Sequence, residues 1–418
     1  MRPGRRKFLK FMVLGLTGGA VAYNWPHEGV LNPCLRMPVP NDLLNHDLVL
    51  SAWEGINPDG FRDVHTHLLG AGDSDSGIYL HPSMQDVFSP AQYVRFKFYM
   101  NASCAESETG IDRGYVYQLS QHMASFPVGA KAMLLGFDFN HNEHGEVNKD
   151  KTPFHTPNAY VQKVVEQNPN RFEWIASIHP YREDCVEELE KVVRGGAKAI
   201  KWLPPVMGID PSSDRCDRFY AALVKHNIPL LTHAGDEHAV AGVENQEYGN
   251  PLLLRHALDH GVRVIVAHCA SEGMGIDLDK GHSEKSITNF KLFERLMDEQ
   301  RYEKKLFGEI SAMTQLNRIG PALQKVLYRD DWHHRLLNGS DYPLPGVMPL
   351  FSTQTLHDTG YLKAEAIEPL TELRRFNPVL YDFVLKRHLT WKGKRFATSI
   401  FESKSFFDQN QNQFIAME

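Results

Sequence analysis

The chain has 418 residues, of which 42% are hydrophobic and 23% charged, and its 45 basic and 51 acidic side chains give a formal net charge of −6. This composition allows a large buried core and excludes global disorder. An acidic chain is not expected to bind nucleic acid or an anionic membrane surface. The 21 histidines favour metal binding or proton transfer. The five cysteines are scattered without a CxxC pair, so neither a disulfide framework nor a zinc ribbon is predicted.

Residues 1–22 have the layout of a signal peptide. Basic residues precede an apolar run from Phe11 to Ala22, which ends in small residues with A-x-A spacing. The segment from Arg5 to Lys10, RRKFLK, resembles the twin-arginine export motif. This resemblance implies the export machinery as a partner, cleavage after Ala22 and a periplasmic or otherwise exported protein. An uncleaved anchor or a cytosolic tail is the alternative, but the run is short and glycine-containing for a stable membrane span.

After an arm over residues 23–60, short apolar β-branched runs alternate with longer amphipathic stretches. From the third run onward, successive starts lie 25 to 43 residues apart, which is the spacing of βαβ units. The sequence therefore predicts an α/β fold, a closed (β/α)8 TIM barrel over residues 61–390. The eight predicted strands are Phe61–His67, Lys131–Phe139, Phe172–Ile178, Ala197–Leu203, Ile228–His233, Arg263–His268, Leu306–Ser311 and Arg335–Asp341.

Three further segments complete the predicted organisation. About 63 residues separate the first two strands, so an insertion over about residues 69–129 is expected to cover the barrel mouth. A last helix, Pro378–His388, is expected to pack outside the barrel, followed by a tail over residues 391–418. Helices are also predicted between the strands, over Asp184–Arg194, Cys216–His226, Pro251–His260 and Phe290–Glu299.

Histidine and aspartate residues fall at the carboxyl ends of four predicted strands, where barrel active sites form. His65 and His67 end the first strand on one face and can bind the same metal ion. His233 ends the fifth strand, His268 the sixth and Asp341 the eighth. One HxH pair is weak evidence, but the whole set predicts a metal centre at the barrel mouth.

These positions, in this order, resemble the amidohydrolase superfamily. The segments Gly196–Pro205 and Gly339–Pro343 resemble its amidohydrolase-related branch of metal-dependent hydrolases, and the resemblance covers most of residues 61–390. It implies a divalent metal, zinc by default, with manganese or iron also suited to these ligands. The roles it implies are His65, His67, His233 and Asp341 as metal ligands, and Asp341 and His268 as the groups that activate water and transfer protons.

The number of metal ions depends on Lys201. In two-metal members of the superfamily a lysine on the fourth strand is carboxylated and bridges the ions, and Lys201 resembles that residue. His233 and His268 would then hold the second ion. Because single-metal relatives also carry Ile-Lys here, one ion is favoured over two, with Lys201 an ordinary lysine.

The positive metal centre favours an oxyanion or carboxylate substrate. His179, at the end of the third strand, and Arg318, after the seventh, are the candidate substrate contacts. A buried core histidine and a surface ion pair are their respective alternatives. Glu309, on the seventh strand, is expected to accept a hydrogen bond from a ligand histidine.

The implied function is a hydrolase that cleaves a C–N or C–O bond, in an amide, lactone or ester, of a small molecule. A metal-dependent decarboxylase of the same branch is the alternative, and a non-catalytic binding protein is a third interpretation. No nucleic-acid partner and no stable membrane span are expected. A homo-oligomer is compatible with the fold, although the sequence shows no interface stripe.

Overall fold

The computed structural model describes residues 28–240, 243–280 and 286–408. Its central feature is a set of eight parallel strands at the predicted places. Each strand is shorter than the corresponding apolar segment of the sequence, because part of that segment lies in a loop. The strands are β1 Arg62–His67, β2 Lys131–Leu135, β3 Phe172–Ile175, β4 Ile200–Trp202, β5 Leu230–His233, β6 Val264–Ala267, β7 Leu306–Glu309 and β8 Leu336–Leu337.

The eight strands close into a barrel. Strands β1 to β3 pair in chain order, and so do β4 to β8. Parallel bridges join the two runs at both seams, between Ala176 and Ile200 and between Thr66 and Tyr342. The predicted (β/α)8 barrel is therefore confirmed, and the carboxyl ends of all eight strands meet at one mouth.

The barrel interior is filled by apolar side chains, because alternate residues of each strand point inward. The C-terminal segment contributes as well: Phe407 is buried in this interior cluster, and Phe406 packs on Phe307 with ring centroids 4.7 Å apart. Since Lys404 also pairs with Asp59, just before β1, this segment closes the amino-terminal end of the barrel. The inner cluster contains Val64, Met133, Leu135, Ile175, Ala199, Leu231, Ile265, Ala267, Leu337 and Phe407.

Helices surround the barrel, and the helix Pro378–His388 begins and ends where the sequence predicted it. Pro378 opens its first turn, and the Asn377 side chain accepts a hydrogen bond from the Leu380 amide at 3.0 Å. The α-helices are α1 Asn41–Leu44, α2 Asp47–Ala52, α3 Pro90–Ser103, α4 Ile111–Ala124, α5 Asn158–Gln167, α6 Cys185–Arg194, α7 Pro204–Met207, α8 Asp217–Lys225, α9 Arg255–Asp259, α10 Asn289–Asp298, α11 Pro321–Tyr328, α12 Thr353–Asp358, α13 Ile367–Phe376, α14 Pro378–His388 and α15 Lys404–Asp408.

The insertion after β1 contains α3 and α4 and is held by contacts within it and by a link to the N-terminal arm. The Asp112 carboxylate accepts hydrogen bonds from the Ala71 and Gly72 amides at 2.7 and 3.1 Å. A disulfide between Cys34 and Cys104 joins the N-terminal arm to the end of α3, with the Cα atoms 5.3 Å apart. The expectation of no disulfide was wrong for this pair. The two cysteines are 70 residues apart, and only the folded arm brings them together.

The predicted signal peptide lies outside the described residues. Within residues 28–240, 243–280 and 286–408, no helix has the length and hydropathy needed to cross a bilayer. Three described cysteines, Cys185, Cys216 and Cys269, are free thiols and buried.

Candidate metal centre

Strand β1 places two histidines at the barrel mouth. A register irregularity between Asp63 and Thr66 bends the strand there. The His65 and His67 rings both reach the mouth, with centroids 5.2 Å apart. The Asp63 carboxylate accepts hydrogen bonds from the His65 amide at 3.2 Å and the Ser340 amide at 2.8 Å. This contact ties β1 to the loop that follows β8.

Asp341 meets both histidines at the spacing of metal ligands. Its Oδ1 lies 3.4 Å from His65 Nε2 and 3.1 Å from His67 Nε2. Ligand atoms bound at about 2.0–2.1 Å around a tetrahedral zinc ion lie about 3.3 Å from each other. Asp341 has a left-handed backbone, with φ of 58°, and its amide donates to the His65 carbonyl at 2.7 Å. The structure therefore brings together three of the predicted ligands.

The pKa shifts of His65 and Asp341 favour the forms that bind metal. Burial lowers the pKa of His65, which favours the neutral imidazole. Burial alone would raise the pKa of Asp341, but the imidazoles of His65 and His268 and a hydrogen bond from His67 hold it well below its usual range. Neutral imidazoles and an ionised carboxylate are the ligand forms.

Glu309 supports His65 from behind, as the sequence predicted. Its Oε2 lies 3.0 Å from His65 Nδ1 and accepts a hydrogen bond from Ser311 Oγ at 2.7 Å. This contact occupies Nδ1 and leaves Nε2 for an ion, which is the usual arrangement of a metal-binding histidine. His65, His268 and Glu309 therefore form a hydrogen-bonded support and not a second ligand group.

His268 lies opposite Asp341. Residues 268–270 form a left-handed turn with φ of 55°, 49° and 48°, so His268 leaves the strand alternation. Its Nε2 is 3.7 Å from Asp341 Oδ2, its Nδ1 is 2.8 Å from Ser311 Oγ, and its ring stacks on His65 at 5.1 Å. Cys269 is buried with its thiol 3.5 Å from the Glu309 carbonyl, away from the ligand atoms.

His233 has an open coordination position. Its Nε2 is buried and has no hydrogen-bond partner among the described residues, and burial lowers its pKa well below the usual range. A buried unpartnered nitrogen costs free energy, and a metal ion would satisfy it. Its ring lies 5.5 Å from that of His268, and its Nδ1 is 3.6 Å from Glu237 Oε2.

Glu237 is a site residue that the sequence did not reveal. It is buried beside His233, in the loop that follows β5. Burial raises its pKa, while the Ala239 and Val240 amides donate to its Oε1. The only signal in the sequence was its position four residues after His233.

Lys201 points into the centre from β4. Its Nζ lies 3.2 Å from His65 Nε2, which is also a ligand–ligand spacing. Burial lowers its pKa to about 8, so the neutral amine is readily reached near neutral pH. This position suits both an ordinary lysine beside one ion and a carboxylated lysine that bridges two.

The two predicted substrate contacts differ in where they lie. His179 is fully buried, and its Nε2 and Nδ1 contact the Met207 carbonyl and the Tyr181 amide at 3.0 and 3.2 Å. It has no ring nitrogen left for a substrate. Arg318 is close enough to the centre to lower the pKa of His233, where burial is the larger cause. Its side chain is 8% exposed, and its buried Nε has no partner among the described residues.

The insertion covers the mouth beside β5, as predicted. On α3, Tyr99 donates its hydroxyl to the Ala239 carbonyl at 2.6 Å. Burial raises the pKa of Tyr99, and Glu237 and Asp341 are near enough to add to this shift. Arg95, one turn earlier on α3, has a buried Nη1 without a partner among the described residues. The helix thus brings a phenol and a guanidinium toward the centre.

Replacing Glu309 by glutamine is expected to weaken metal retention by about 10- to 100-fold. The charged acceptor of the His65 Nδ1 proton is lost while the size of the side chain is kept. Metal retained per chain after dialysis against increasing chelator measures the effect. Glu303→Gln changes an exposed glutamate and is the control. Equal retention in both variants would contradict a supporting role for Glu309.

The sequence matches the family model described as Amidohydrolase over residues 63–349. The matched range begins just before His65 and His67 and includes His233, His268 and Asp341. The search of curated proteins gives no match.

The comparison with solved structures gives matches of low identity and low TM-score. The 4-oxalomesaconate hydratase from Rhodopseudomonas palustris is 13% identical, with 85% of this chain and 98% of that chain covered and a TM-score of 0.44. The 5-carboxyvanillate decarboxylase from Sphingomonas paucimobilis is 9% identical, with 76% and 98% covered and a TM-score of 0.39. An uncharacterized TIM-barrel protein from Bordetella bronchiseptica is 15% identical, with 74% and 94% covered and a TM-score of 0.43. Values this low are not evidence for a shared activity.

The family match carries the assignment, because it spans most of the barrel together with the residues that converge at its mouth. The chain belongs to the amidohydrolase family and is an enzyme of the amidohydrolase superfamily.

Proposed function

We propose that this enzyme is a metal-dependent hydrolase that cleaves a C–N or C–O bond, in an amide, lactone or ester, of a small molecule. One observation carries the proposal: the Nε2 atoms of His65 and His67 converge on Asp341 Oδ1 at ligand spacing. The lowered pKa values of His65 and Asp341 favour the forms in which these two groups bind a divalent ion.

The donor set fits one divalent ion, with zinc the default. His65, His67 and Asp341 would hold it, and the unpartnered Nε2 of His233 would join them. A divalent ion bound there supplies Lewis-acid polarisation and a nucleophile at neutral pH, by lowering the pKa of water. Three imidazoles and one carboxylate would also accept manganese or iron. Lys201 remains the candidate bridge of a two-ion variant.

The protein groups around this position would transfer protons, orient the reacting groups and bind the substrate. Asp341, ionised at neutral pH, accepts a proton and returns it to the leaving group. His268 orients the reacting groups from the side of Asp341 Oδ2, at 3.7 Å. Arg318 and Arg95 carry buried donor groups without partners in the described part of the chain. Guanidinium groups in such positions favour a substrate with a carboxylate or another oxyanion.

Those same arginines support the second candidate, a metal-dependent decarboxylase. A decarboxylase must bind a substrate carboxylate beside the metal, and the unpartnered Nε of Arg318 could meet it. Hydrolysis and decarboxylation would use the same ligand set, so the product distinguishes them.

Chelation of the purified enzyme is expected to abolish turnover, and zinc or manganese is expected to restore it, because the nucleophile requires the ion. Small acids that carry an amide, lactone or ester are the test substrates, with aromatic acids for the decarboxylase. Ring opening or amide cleavage without carbon dioxide supports the hydrolase, whereas carbon dioxide release supports the decarboxylase. Turnover unaffected by complete metal removal would reject both.

We propose that the enzyme is exported by the twin-arginine route to the periplasm. The disulfide between Cys34 and Cys104 supports this location, because disulfides persist in oxidising compartments and are rare in the cytosol. Cell fractionation tests it: the chain, shortened at its N-terminus, is expected in the periplasmic fraction. Recovery of the uncleaved chain with the cytosol would reject it.

A further inference from the structure

A second group of metal-binding side chains lies on the outer helices and shares no residue with the barrel centre. We infer that Asp217, His256 and His260 form a surface site for a zinc-type divalent ion. Asp217 is the first residue of α8, His256 lies in α9, and His260 follows the last residue of α9. The two histidines are four positions apart, so they lie on the same face of that helical turn.

The three ligand atoms converge as in the barrel centre. Asp217 Oδ1 lies 2.7 Å from His256 Nε2 and 3.5 Å from His260 Nε2. All three atoms lie within 4.8 Å of one another, and the imidazole centroids are 4.6 Å apart. The longer distance is close to the ligand–ligand spacing of about 3.3 Å in a tetrahedral zinc site.

The hydrogen bonds leave a position for a cation. His260 Nδ1 donates to the His256 carbonyl at 2.8 Å, so the neutral ring has only a lone pair at Nε2. That lone pair faces the Asp217 oxygen, and two acceptors repel each other unless a proton or a cation lies between them. A backbone carbonyl that holds the far nitrogen is also the usual support of a metal-binding histidine. His256 would release the proton that it shares with Asp217 when an ion binds.

The chemistry of the group selects the class of ion. Two imidazoles and one carboxylate suit zinc, cobalt, nickel or copper, whereas magnesium and calcium prefer oxygen ligands. The His256 and His260 side chains are 25% and 32% exposed, so an ion can enter and water can complete its coordination. The Tyr220 ring packs against both imidazoles, with centroids 5.8 and 5.7 Å away, and limits their rotation.

An ion at this place would join α8 to α9, the helices that precede β5, which ends at His233, and β6, which His268 follows. Binding to the folded chain alone raises its stability. The site also changes how the metal content must be interpreted. A chain with one ion in the barrel and one on the surface contains two equivalents, so a total of two does not by itself identify a bridging Lys201.

The test compares wild-type enzyme with His260→Gln, Asp217→Asn and the control His144→Gln. His144 is 74% exposed with Nε2 3.7 Å from Glu143 Oε1, a similar pair without a third ligand. Each chelated protein is titrated with zinc, and bound zinc is measured together with the thermal midpoint. We expect His260→Gln and Asp217→Asn to bind one equivalent fewer than wild type and to lose part of the zinc-dependent rise in the midpoint.

Two further variants serve as controls for the location of the bound zinc. His144→Gln is expected to bind as many equivalents as wild type, and Asp341→Asn, which alters the barrel centre, is expected to retain the surface equivalent. Equal zinc content in wild type and His260→Gln would overturn the inference. So would binding that magnesium competes away at equal concentration, because an oxygen-preferring ion does not displace zinc from two imidazoles.

Discussion

Replacing Asp341 by asparagine is expected to lower turnover by a factor on the order of 10³ and to leave the fold intact. Asparagine keeps the shape of the side chain and can still contact His65 and His67. It cannot accept a proton, and it removes the negative charge that the neighbouring imidazoles stabilise. The loss therefore falls on proton transfer and on metal binding together.

Steady-state kinetics with excess zinc separates these two effects. If excess zinc restores metal content but not turnover, Asp341 acts in proton transfer as well as in binding. Asp184→Asn is the control, because Asp184 is an exposed aspartate that pairs with Arg182. Near-normal turnover in Asp341→Asn, with circular dichroism showing the native fold, would contradict a role of Asp341 in proton transfer.

The barrel and most of the ligand set could be predicted from the sequence, because both follow from regular spacing. In a closed parallel barrel all strands end at the same mouth, so residues at strand ends must meet even when they are distant in sequence. His233 continues the inward alternation of β5 from Leu231, and its placement needed no knowledge of loops. On β1, Val64 faces the interior, and His65 reaches the mouth at the register irregularity of that strand. Glu309 could be predicted for the same reason, since it lies on β7 itself.

Residues held by loops could not be predicted in this way. His268 reaches the centre through a left-handed turn and not through strand alternation, and a left-handed backbone at His268, Cys269 and Ala270 has no glycine to signal it. Glu237 is buried only because the loop after β5 folds back over His233. Arg95 belongs to a helix whose place over the mouth depends on the whole insertion.

Loop conformation also explains why His179 is fully hydrogen-bonded to the backbone whereas Arg318 keeps, near the centre, a donor without a partner among the described residues. Both follow a strand, and the sequence predicts both as candidate substrate contacts without distinguishing them. The short loop after β3 turns His179 into backbone hydrogen bonds with Met207 and Tyr181. Arg318, in the loop after β7, is held by Ser271 and Glu272 of the loop after β6, and its Nε is unpartnered in the described structure. Which side chain faces the substrate is decided by loop geometry.

Behind the metal centre, a buried ion pair is expected to control stability. Lys386 Nζ lies 2.6 Å from Asp382 Oδ2, and the two side chains are 1% and 2% exposed. The ammonium also donates to the Gly339 carbonyl at 2.5 Å, two residues before Asp341. Lys386→Met would leave a buried carboxylate without its cation, which costs about 3–5 kcal/mol of unfolding free energy.

The loss should depend on pH with a defined sign. Burial raises the pKa of Asp382 to about 7, above its usual 3.8, even with Lys386 in place. Between about pH 4 and pH 7 the folded state therefore binds a proton on Asp382 that the unfolded state does not. The free energy of unfolding falls as pH rises through that window, by up to about 1.4 kcal/mol per pH unit. Without Lys386 the pKa rises further, so Lys386→Met should be much less stable than wild type at pH 8 and closer to it at pH 5.

Urea unfolding at the two pH values measures the effect. The double variant Asp382→Asn with Lys386→Met carries no buried charge and should recover most of the stability at pH 8. Lys394→Met removes a half-exposed lysine paired with Asp330 and should cost less than about 1 kcal/mol at either pH. A loss in Lys386→Met that is the same at pH 5 and pH 8 would show that packing of the side chain, and not the charge of Asp382, determines its contribution.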